Sequence, residues 1–327
     1  MKQFNDKQIK ILNELARGEC KSGEEIGQAL GITRTAVWKQ IRQLSDMGVP
    51  IESRPQKGYQ LRAPVMLLDE QHILANLKST SIAKDLCFHL FASIDSTNRF
   101  LKNLPKDRFI HVCCAEMQTD GRGRFGRQWL SPFGDNIYCS SRWHFSCDPL
   151  QLSGLSLVVS LAVHSALKSL NFHTDIQIKW PNDLLWQNRK LSGCLIEISA
   201  ESHGETDVVI GIGLNVNSTG ILDKMLDKPW CSLYDITSIR QNRNVIIAKL
   251  ILSLQEYLQR FSLLGFKAFL EEWNDLDYLK NQSVMVHHHS DSVSGIAMGV
   301  NELGQLMLMS DKGEMLYLTS GDTTMSF

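Results

Sequence analysis

Nine consecutive residues, Gly121-Arg122-Gly123-Arg124-Phe125-Gly126-Arg127-Gln128-Trp129, interleave glycine with arginine and close on a tryptophan. Glycine lets backbone N–H groups come close to a ligand. Arginine presents a planar fork of donors matched to phosphate or carboxylate. At this spacing the two describe a loop that wraps an anion and orders around it, with Trp129 as a lid. An exposed basic linker would account for the charge, but not for the regular glycines or the tryptophan. The run is not a Walker A loop, because the Gly-Lys-Ser/Thr ending is missing. A fourth cation, Lys190, stands in Lys190-Leu191-Ser192-Gly193, and neutral amides and hydroxyls accompany the set: Ser96-Thr97-Asn98, Gln118, Asn182 and Asn215. These candidates contain no Cys–His pair and no Ser–His–Asp order, so covalent catalysis by the protein is not indicated. Cations around an anion, without a nucleophile, suit phosphoryl or adenylyl chemistry by positioning and charge stabilisation.

Such residues need a frame, and from about 66 to 273 strand-like and helix-like segments alternate. Residues 88–94 read as a strand. Asp95-Ser96-Thr97-Asn98 then opens a helix carrying Phe100, Leu101 and Leu104. Hydroxyls and amides at such a junction are often helix caps; three in a row can also bond a neutral polar ligand. Residues 110–115 form a strand that delivers Glu116-Met117-Gln118 into the arginine loop. A strand over 136–142 and a long apolar helix over 152–170 follow. Residues 176–180 alternate as a strand and end in Pro181-Asn182-Asp183. The next strand starts near Leu184 and turns at Asn188-Arg189, and Lys190 to Gly193 lead into Cys194-Leu195-Ile196-Glu197. Gly211 and Gly213 lie inside a strand over 208–217, where glycine marks a bulge or a close approach by something.

The first 62 residues carry a different pattern. Ile9, Leu12 and Leu15, with Ile11 and Ala16, give an amphipathic helix. Ser22 and Glu25 form a capping box before Ile26, Ala29 and Leu30. Gly31 ends that helix, and Thr33 caps a third with Val37, Ile41 and Leu44 inward and Gly48 as its stop. Helix, glycine-containing turn, helix is the helix-turn-helix signature. The outer face of the third helix offers Arg34, Thr35, Trp38, Lys39 and Arg42, a mixture suited to phosphates and base edges. A strand pair turning at Gln56-Lys57-Gly58 reads as a wing, with Arg54 and Lys57 at its tip. Residues 1–62 hold eleven cations and seven anions, a local charge of +4 against -1 for the chain. Helical bundles also serve protein contacts, but the wing and the basic third helix favour DNA. One such module binds weakly, so a dimer on a two-fold operator is expected.

The chain has 327 residues and 43% apolar content, enough for two or three packed domains. Overall charge predicts no partner. The eight cysteines show no metal-ligand spacing, and no apolar signal or transmembrane-length segment is present. A reduced, cytoplasmic protein with mostly core thiols is expected; Cys113-Cys114 could be a redox pair, but burial in a strand is the better reading. Ala63-Pro64-Val65 marks a boundary, with a helical pattern starting near Asp69. Over 274–327, segments 284–286, 293–300, 306–309 and 315–318 read as strands, turning at Asn301 to Gly304 and Asp311 to Glu314. Three adjacent histidines, His287-His288-His289, cannot all face one metal ion and read as an exposed strand end.

GRGRFGRQW, KWPNDLL, RKLSG and GIGLNVN, in this order, resemble biotin protein ligase. The preceding helix-turn-helix makes the chain similar to the bifunctional form, which is both ligase and biotin operon repressor, over essentially its whole length. The resemblance implies a mixed α/β, or α+β, multidomain protein. Its parts would be a winged helix-turn-helix (1–63), a catalytic domain related to class II aminoacyl-tRNA synthetases (66–273) and an SH3-like β-barrel (274–327). It implies formation of biotinyl-5′-adenylate (biotinyl-5′-AMP) from biotin and ATP with Mg²⁺. Biotin then passes to a lysine of the biotin carboxyl carrier protein of acetyl-CoA carboxylase. It further implies that the adenylate acts as corepressor, with the ligand-bound homodimer repressing at operator DNA.

Position by position, Ser96, Thr97 and Gln118 match residues holding the biotin ureido ring, and Asn98 completes that run. Arg122 and Arg124, with Gly121 and Gly123, match the loop closing over biotin and the adenylate phosphate. Arg127 matches an arginine near the triphosphate, and Lys190 the lysine at the reacting carboxylate and phosphate. Trp129 matches an aromatic over adenine, and Trp230 one on a second loop. Gly193, Gly211 and Asn215 match the pocket floor. Asn182 and Asp183 match a turn whose aspartate is a candidate Mg²⁺ ligand. Two departures stand out. Phe125 replaces a second arginine of the family's loop, and Trp38 sits on the recognition helix. A sensor that only binds biotin or its adenylate, and a lipoate ligase of related fold, are the alternatives.

Overall fold

The computed structural model describes residues 4–78, 80–172, 175–200, 205–220, 228–287 and 291–325. Three helices open it: α1 (Asp6–Leu15), α2 (Gly23–Leu30) and α3 (Arg34–Asp46). Capping boxes start the first two, Asn5 with Gln8 and Ser22 with Glu25, and the Thr33 hydroxyl accepts from Ala36 N at 3.2 Å to start the third. Gly31, at φ 66, ends α2 in a left-handed turn that a side chain would strain. Ile11, Leu12 and Leu15 meet Ile26, Val37, Ile41 and Leu44 in a common core. Ile9 departs from expectation: it is 39% exposed, and Gln8 takes the buried place one position earlier. Ala29 is also exposed. Strands β1 (Ile51–Arg54) and β2 (Gly58–Leu61) pair antiparallel as the wing, with Gln56 at positive φ in its turn.

After α4 (Glu70–Ala75), capped by Asp69, the central sheet is laid down by β3 (Leu86–Phe91), β4 (Ile110–Ala115), β5 (Ile137–Phe145), β6 (Ile176–Lys179), β7 (Asp183–Trp186), β8 (Arg189–Ala200) and β9 (Thr206–Leu214). Its order is β3-β4-β5-β9-β8-β7-β6, antiparallel except for the β3–β4 pair. Helix α5 (Thr97–Lys102) bridges β3 and β4. Helix α6 (Leu155–Ser169) packs with α8 (Arg243–Leu264), while the short α7 (Leu233–Thr237) precedes α8 and α9 (Leu270–Leu276) follows it. The turn before β8 falls at Gln187-Asn188, both at positive φ, one residue earlier than expected. Cys113 and Cys114 are buried side by side on β4. Burial raises both thiols, as suits core residues rather than a redox pair.

A second sheet follows: β10 (Ser283–His287), β11 (Ser292–Val300), β12 (Leu306–Met309), β13 (Met315–Leu318) and β14 (Asp322–Met325), all antiparallel, in the order β13-β12-β11-β10-β14. The expected boundary after Trp273 falls inside α9. Val284, Val286, Leu306 and Leu308 share one apolar core with Trp180, Phe269 and Trp273, so the second sheet is packed onto the central one. His287 bonds Thr324 Oγ1 at 3.0 Å, and His288 and His289 lie outside the described residues. Among the described residues no helix is long and apolar enough to cross a membrane.

Candidate functional site

A cavity of about 470 Å³ opens where the N-terminus of α5, the arginine loop, the start of β8, the glycines of β9 and the start of β14 converge. Every expected ligand residue lines it except Gly121. That glycine serves the loop instead: a Cβ there would sit 2.3 Å from the Trp129 carbonyl oxygen, which accepts no side chain so close.

One end of the cavity is neutral and polar. Thr97 donates to Gln118 Oε1 through its backbone N–H at 2.9 Å and its hydroxyl at 3.1 Å. The Thr97 and Ser140 hydroxyls lie 2.6 Å apart, and Ser140 donates to Asn98 Oδ1 at 2.6 Å. Asn98 donates in turn to Glu197 at 3.1 Å. Such a network holds each amide and hydroxyl in one orientation, ready for a neutral ligand with both donors and acceptors. Ser96 is mainly a cap, accepting from Arg99 N at 3.4 Å. Ser140 was missed by sequence reasoning, since a serine within an apolar strand carries no signal of its own.

The other end is charged. Lys190 Nζ lies 2.7 Å from Asp183 Oδ1 and 5.5 Å from the centre of the Trp129 ring. Asn215 does not reach this ammonium. Its side-chain amide donates to the Lys190 and Cys231 carbonyls at 3.3 and 3.1 Å, fixing the backbone on which Lys190 and Trp230 stand. Arg124 bonds Asn182 Oδ1 at 3.3 Å, and burial lowers its guanidinium's proton affinity against the pull of Asp183 and Asp322. Arg122 faces Glu197 at 3.4 Å. Arg127 is ion-paired with Asp322, which Lys228 also approaches at 3.3 Å. Burial works to raise the Asp322 carboxyl, but the hydrogen bond from Arg127 and the charge of Lys228 outweigh it and hold it at about 2. Asp322 and Lys228 were not foreseen.

Aromatic walls join the two ends. A Cβ at Gly213 would lie 2.3 Å from Trp129 Cε2, and one at Gly211 would lie 2.1 Å from Asn98 Oδ1. The close approaches expected at these strand glycines are made by the protein's own side chains. The indole N–H groups of Trp129 and Trp230 are buried and have no acceptor among the described residues. Unpartnered buried donors are costly, so this wall fits a ligand rich in acceptors. The Cys194 thiol in the wall is pushed up to about 12 by burial and is no nucleophile. Among the described residues no group of three or more His, Cys, Asp or Glu could hold a metal ion.

A second surface lies apart from the cavity. Arg34, Thr35, Trp38, Lys39 and Arg42 are all exposed along one face of α3, opposite the buried Val37, Ile41 and Leu44, and Lys57 is exposed at the wing tip. The helix periodicity alone makes this separation.

Residues 90–215 match the Biotin/lipoate A/B protein ligase family, and residues 7–60 match an HTH domain. The chain is 36% identical to the bifunctional ligase/repressor BirA of Escherichia coli (strain K12) over 304 residues, 93% of this chain and 92% of that one. It is 30% identical to the bifunctional ligase/repressor BirA of Bacillus subtilis (strain 168), over 91% and 92% of the two chains. Among solved structures it resembles a biotin protein ligase from Aquifex aeolicus in complex with biotin and ATP. The TM-score is 0.64 at 28% identity, covering 74% of this chain and 100% of that one.

Proposed function

The chain belongs to the bifunctional ligase/repressor family of biotin protein ligases, and from that premise we propose how its own residues divide the work. The protein activates biotin with ATP to biotinyl-5′-adenylate and transfers biotin to a lysine of the biotin carboxyl carrier protein of acetyl-CoA carboxylase. With the adenylate retained, it dimerises on operator DNA as a repressor. The observation that carries the reading is a single cavity with a neutral hydrogen-bonding end beside a ring of five cations, Arg122, Arg124, Arg127, Lys190 and Lys228.

Thr97, Gln118 and Asn98 offer donors and acceptors to the biotin ureido ring, with Ser140 locking their orientation. The biotin carboxylate then points at Lys190. A carboxylate oxygen attacks the α-phosphorus of ATP, the new O–P bond forms, and the P–O bond to pyrophosphate breaks. Lys190 exchanges Asp183 for the charge building on the α-phosphate, and Arg122 and Arg124 close over the adenylate. Arg127 and Lys228 stand toward the leaving pyrophosphate. Trp129 and Trp230 supply the aromatic wall for adenine. Mg²⁺, when bound, would offset phosphate charge; it takes few protein carboxylates, and Asp183 is the candidate beside Lys190. In the second step the acceptor lysine's amine attacks the anhydride carbonyl and AMP leaves.

The same reading assigns residues 1–63 to operator DNA, 66–273 to a catalytic unit of class II synthetase type, and 274–327 to an SH3-like barrel. The five antiparallel strands of the second sheet support the last assignment. The exposed residues Arg34, Thr35, Trp38, Lys39, Arg42 and Lys57 are the DNA contacts. We place the protein in the cytoplasm, with its acceptor and its operator.

Pyrophosphate release from ATP is the test, with biotin, with lipoate and with neither, and with Lys190→Ala as control. Biotin-dependent release, lost in the variant by about 10²–10³-fold, is expected. Intact biotin binding without release would leave a sensor; release driven by lipoate would move the substrate to the other branch of the matched family.

A further inference from the structure

Trp38 is 51% exposed in the middle of α3, and the Arg42 guanidinium lies 5.6 Å from the centre of its ring. α3 packs against α1, α2 and β1, and Trp38 and Arg42 stand exposed to solvent on its outer face. Among the described residues Arg42 has no carboxylate partner. A side chain placed for phosphate contact gains nothing from an indole. The apolar group that the major groove presents is the thymine methyl, and the bidentate target of an arginine fork is guanine O6 and N7. Stacking on Trp38 restricts the fork of Arg42 and leaves its donors facing outward. Residues 38 and 42 are about 6 Å apart along the helix axis, nearly two base steps of about 3.4 Å, but the Arg42 guanidinium lies over the Trp38 ring, which brings the two groups within reach of neighbouring base pairs.

We propose that Trp38 and Arg42 together read one base step in each operator half-site. Arg42 takes a guanine, and Trp38 packs on the methyl group of a thymine in the adjacent pair. This rests on the DNA-binding reading of α3 given above. Arg34 and Lys39, on the same face and with no aromatic partner among the described residues, serve the phosphates.

The test uses the full chain with biotin and ATP. A random duplex pool is enriched for bound sites, and the enriched site is then remade with each thymine replaced by deoxyuridine or each guanine by 7-deazaguanine. One thymine per half-site is expected to lose about fourfold in affinity on losing its methyl group. The adjacent guanine is expected to lose roughly fivefold or more on losing N7. Trp38→Ala should bind thymine and uracil sites equally, Trp38→Phe should keep part of the preference, and Arg42→Ala should ignore the guanine change. An enriched site whose uracil penalty is absent, or is the same in wild type and Trp38→Ala, overturns the proposal while the DNA-binding reading stands. A pool that yields no enriched site overturns both.

Discussion

In the cavity, each cation that the sequence singles out meets a protein acceptor. Lys190 has Asp183, Arg122 has Glu197, Arg127 has Asp322, and Arg124 has the side-chain amide oxygen of Asn182. On α3, Arg34, Lys39 and Arg42 are exposed and lack carboxylate partners among the described residues. On the proposed function the two surfaces bind anions by different physics. A cation already held by a carboxylate is aimed, and the ligand gains from its position after displacing the partner. A cation free in solvent contributes a field that salt screens, and its binding energy comes largely from counterion release. The first arrangement suits a reaction coordinate a few ångströms long. The second suits a polyanion approached from a distance.

The largest effect that sharpens this contrast is expected at Lys190. A Cβ at Gly193 would lie 3.1 Å from both Lys190 Nζ and Asp183 Oδ1, so the ion pair sits in a tight slot. Lys190→Arg keeps the charge but puts a wider, planar group in that slot. Adenylation should fall by about 10²-fold, close to the loss for Lys190→Ala. Full activity in Lys190→Arg would mean that charge alone matters there, and the cavity would then resemble the DNA face.

Asp322→Asn comes next and has a sign that separates the two kinds of physics. The substitution makes the cavity more positive, so simple attraction predicts tighter ATP binding. If the carboxylate instead aims Arg127, pyrophosphate release should slow by about tenfold, and Arg127→Ala should add little to it. A rise in rate would remove the aiming role.

Local chemistry was what made the site legible. The arginine loop, Ser96 to Asn98 and the Lys190 segment each display a distinct chemistry within a few residues, and all converge on the cavity. Asp322 was not legible, because it reaches Arg127 from 195 residues away on a short polar strand, Asp322-Thr323-Thr324-Met325, with no apolar alternation to announce it. Ser140 was hidden for the opposite reason, inside a buried strand where serine looks like filler. Gly211 and Gly213 signalled a close approach but not by what, and the partners turned out to be Asn98 and Trp129. In the fold, caps placed α2 and α3 well, since Ser22 and Thr33 bond their own neighbours. Ile9 was misplaced because α1 is short and Gln8 is held inside by its capping box with Asn5.

The DNA face should show its difference through salt. Lys39→Ala is expected to weaken binding evenly across sequences and to lower the salt slope by about one per protomer, measured by titrations at several salt concentrations. Lys190→Ala should leave that slope unchanged when adenylate is supplied. A slope that responds to Lys190 but not to Lys39 would place the polyanion on the wrong surface.

The smallest expected effect is acid-side and belongs to the cavity alone. Asp322 titrates at about 2 in the folded chain, against about 3.9 for an unperturbed aspartate. A carboxyl depressed on folding contributes its stability in full above the unfolded value and loses it as pH falls through the folded one. The Arg127–Asp322 tie should therefore hold at neutral pH and fade between about pH 4 and pH 2. Thermal unfolding of wild type and Asp322→Asn across that window is the measurement. The wild type's advantage should shrink as pH falls and vanish below about pH 2, because Arg127 then faces a neutral group in both proteins, a protonated carboxyl in the wild type and a carboxamide in the variant. The exposed cations of α3 have no such partner among the described residues, so Lys39→Ala should show no difference from wild type that changes over the same range. A pH-independent gap for Asp322→Asn would mean that the side chain serves β14 by packing, and that Arg127 is aimed by something else.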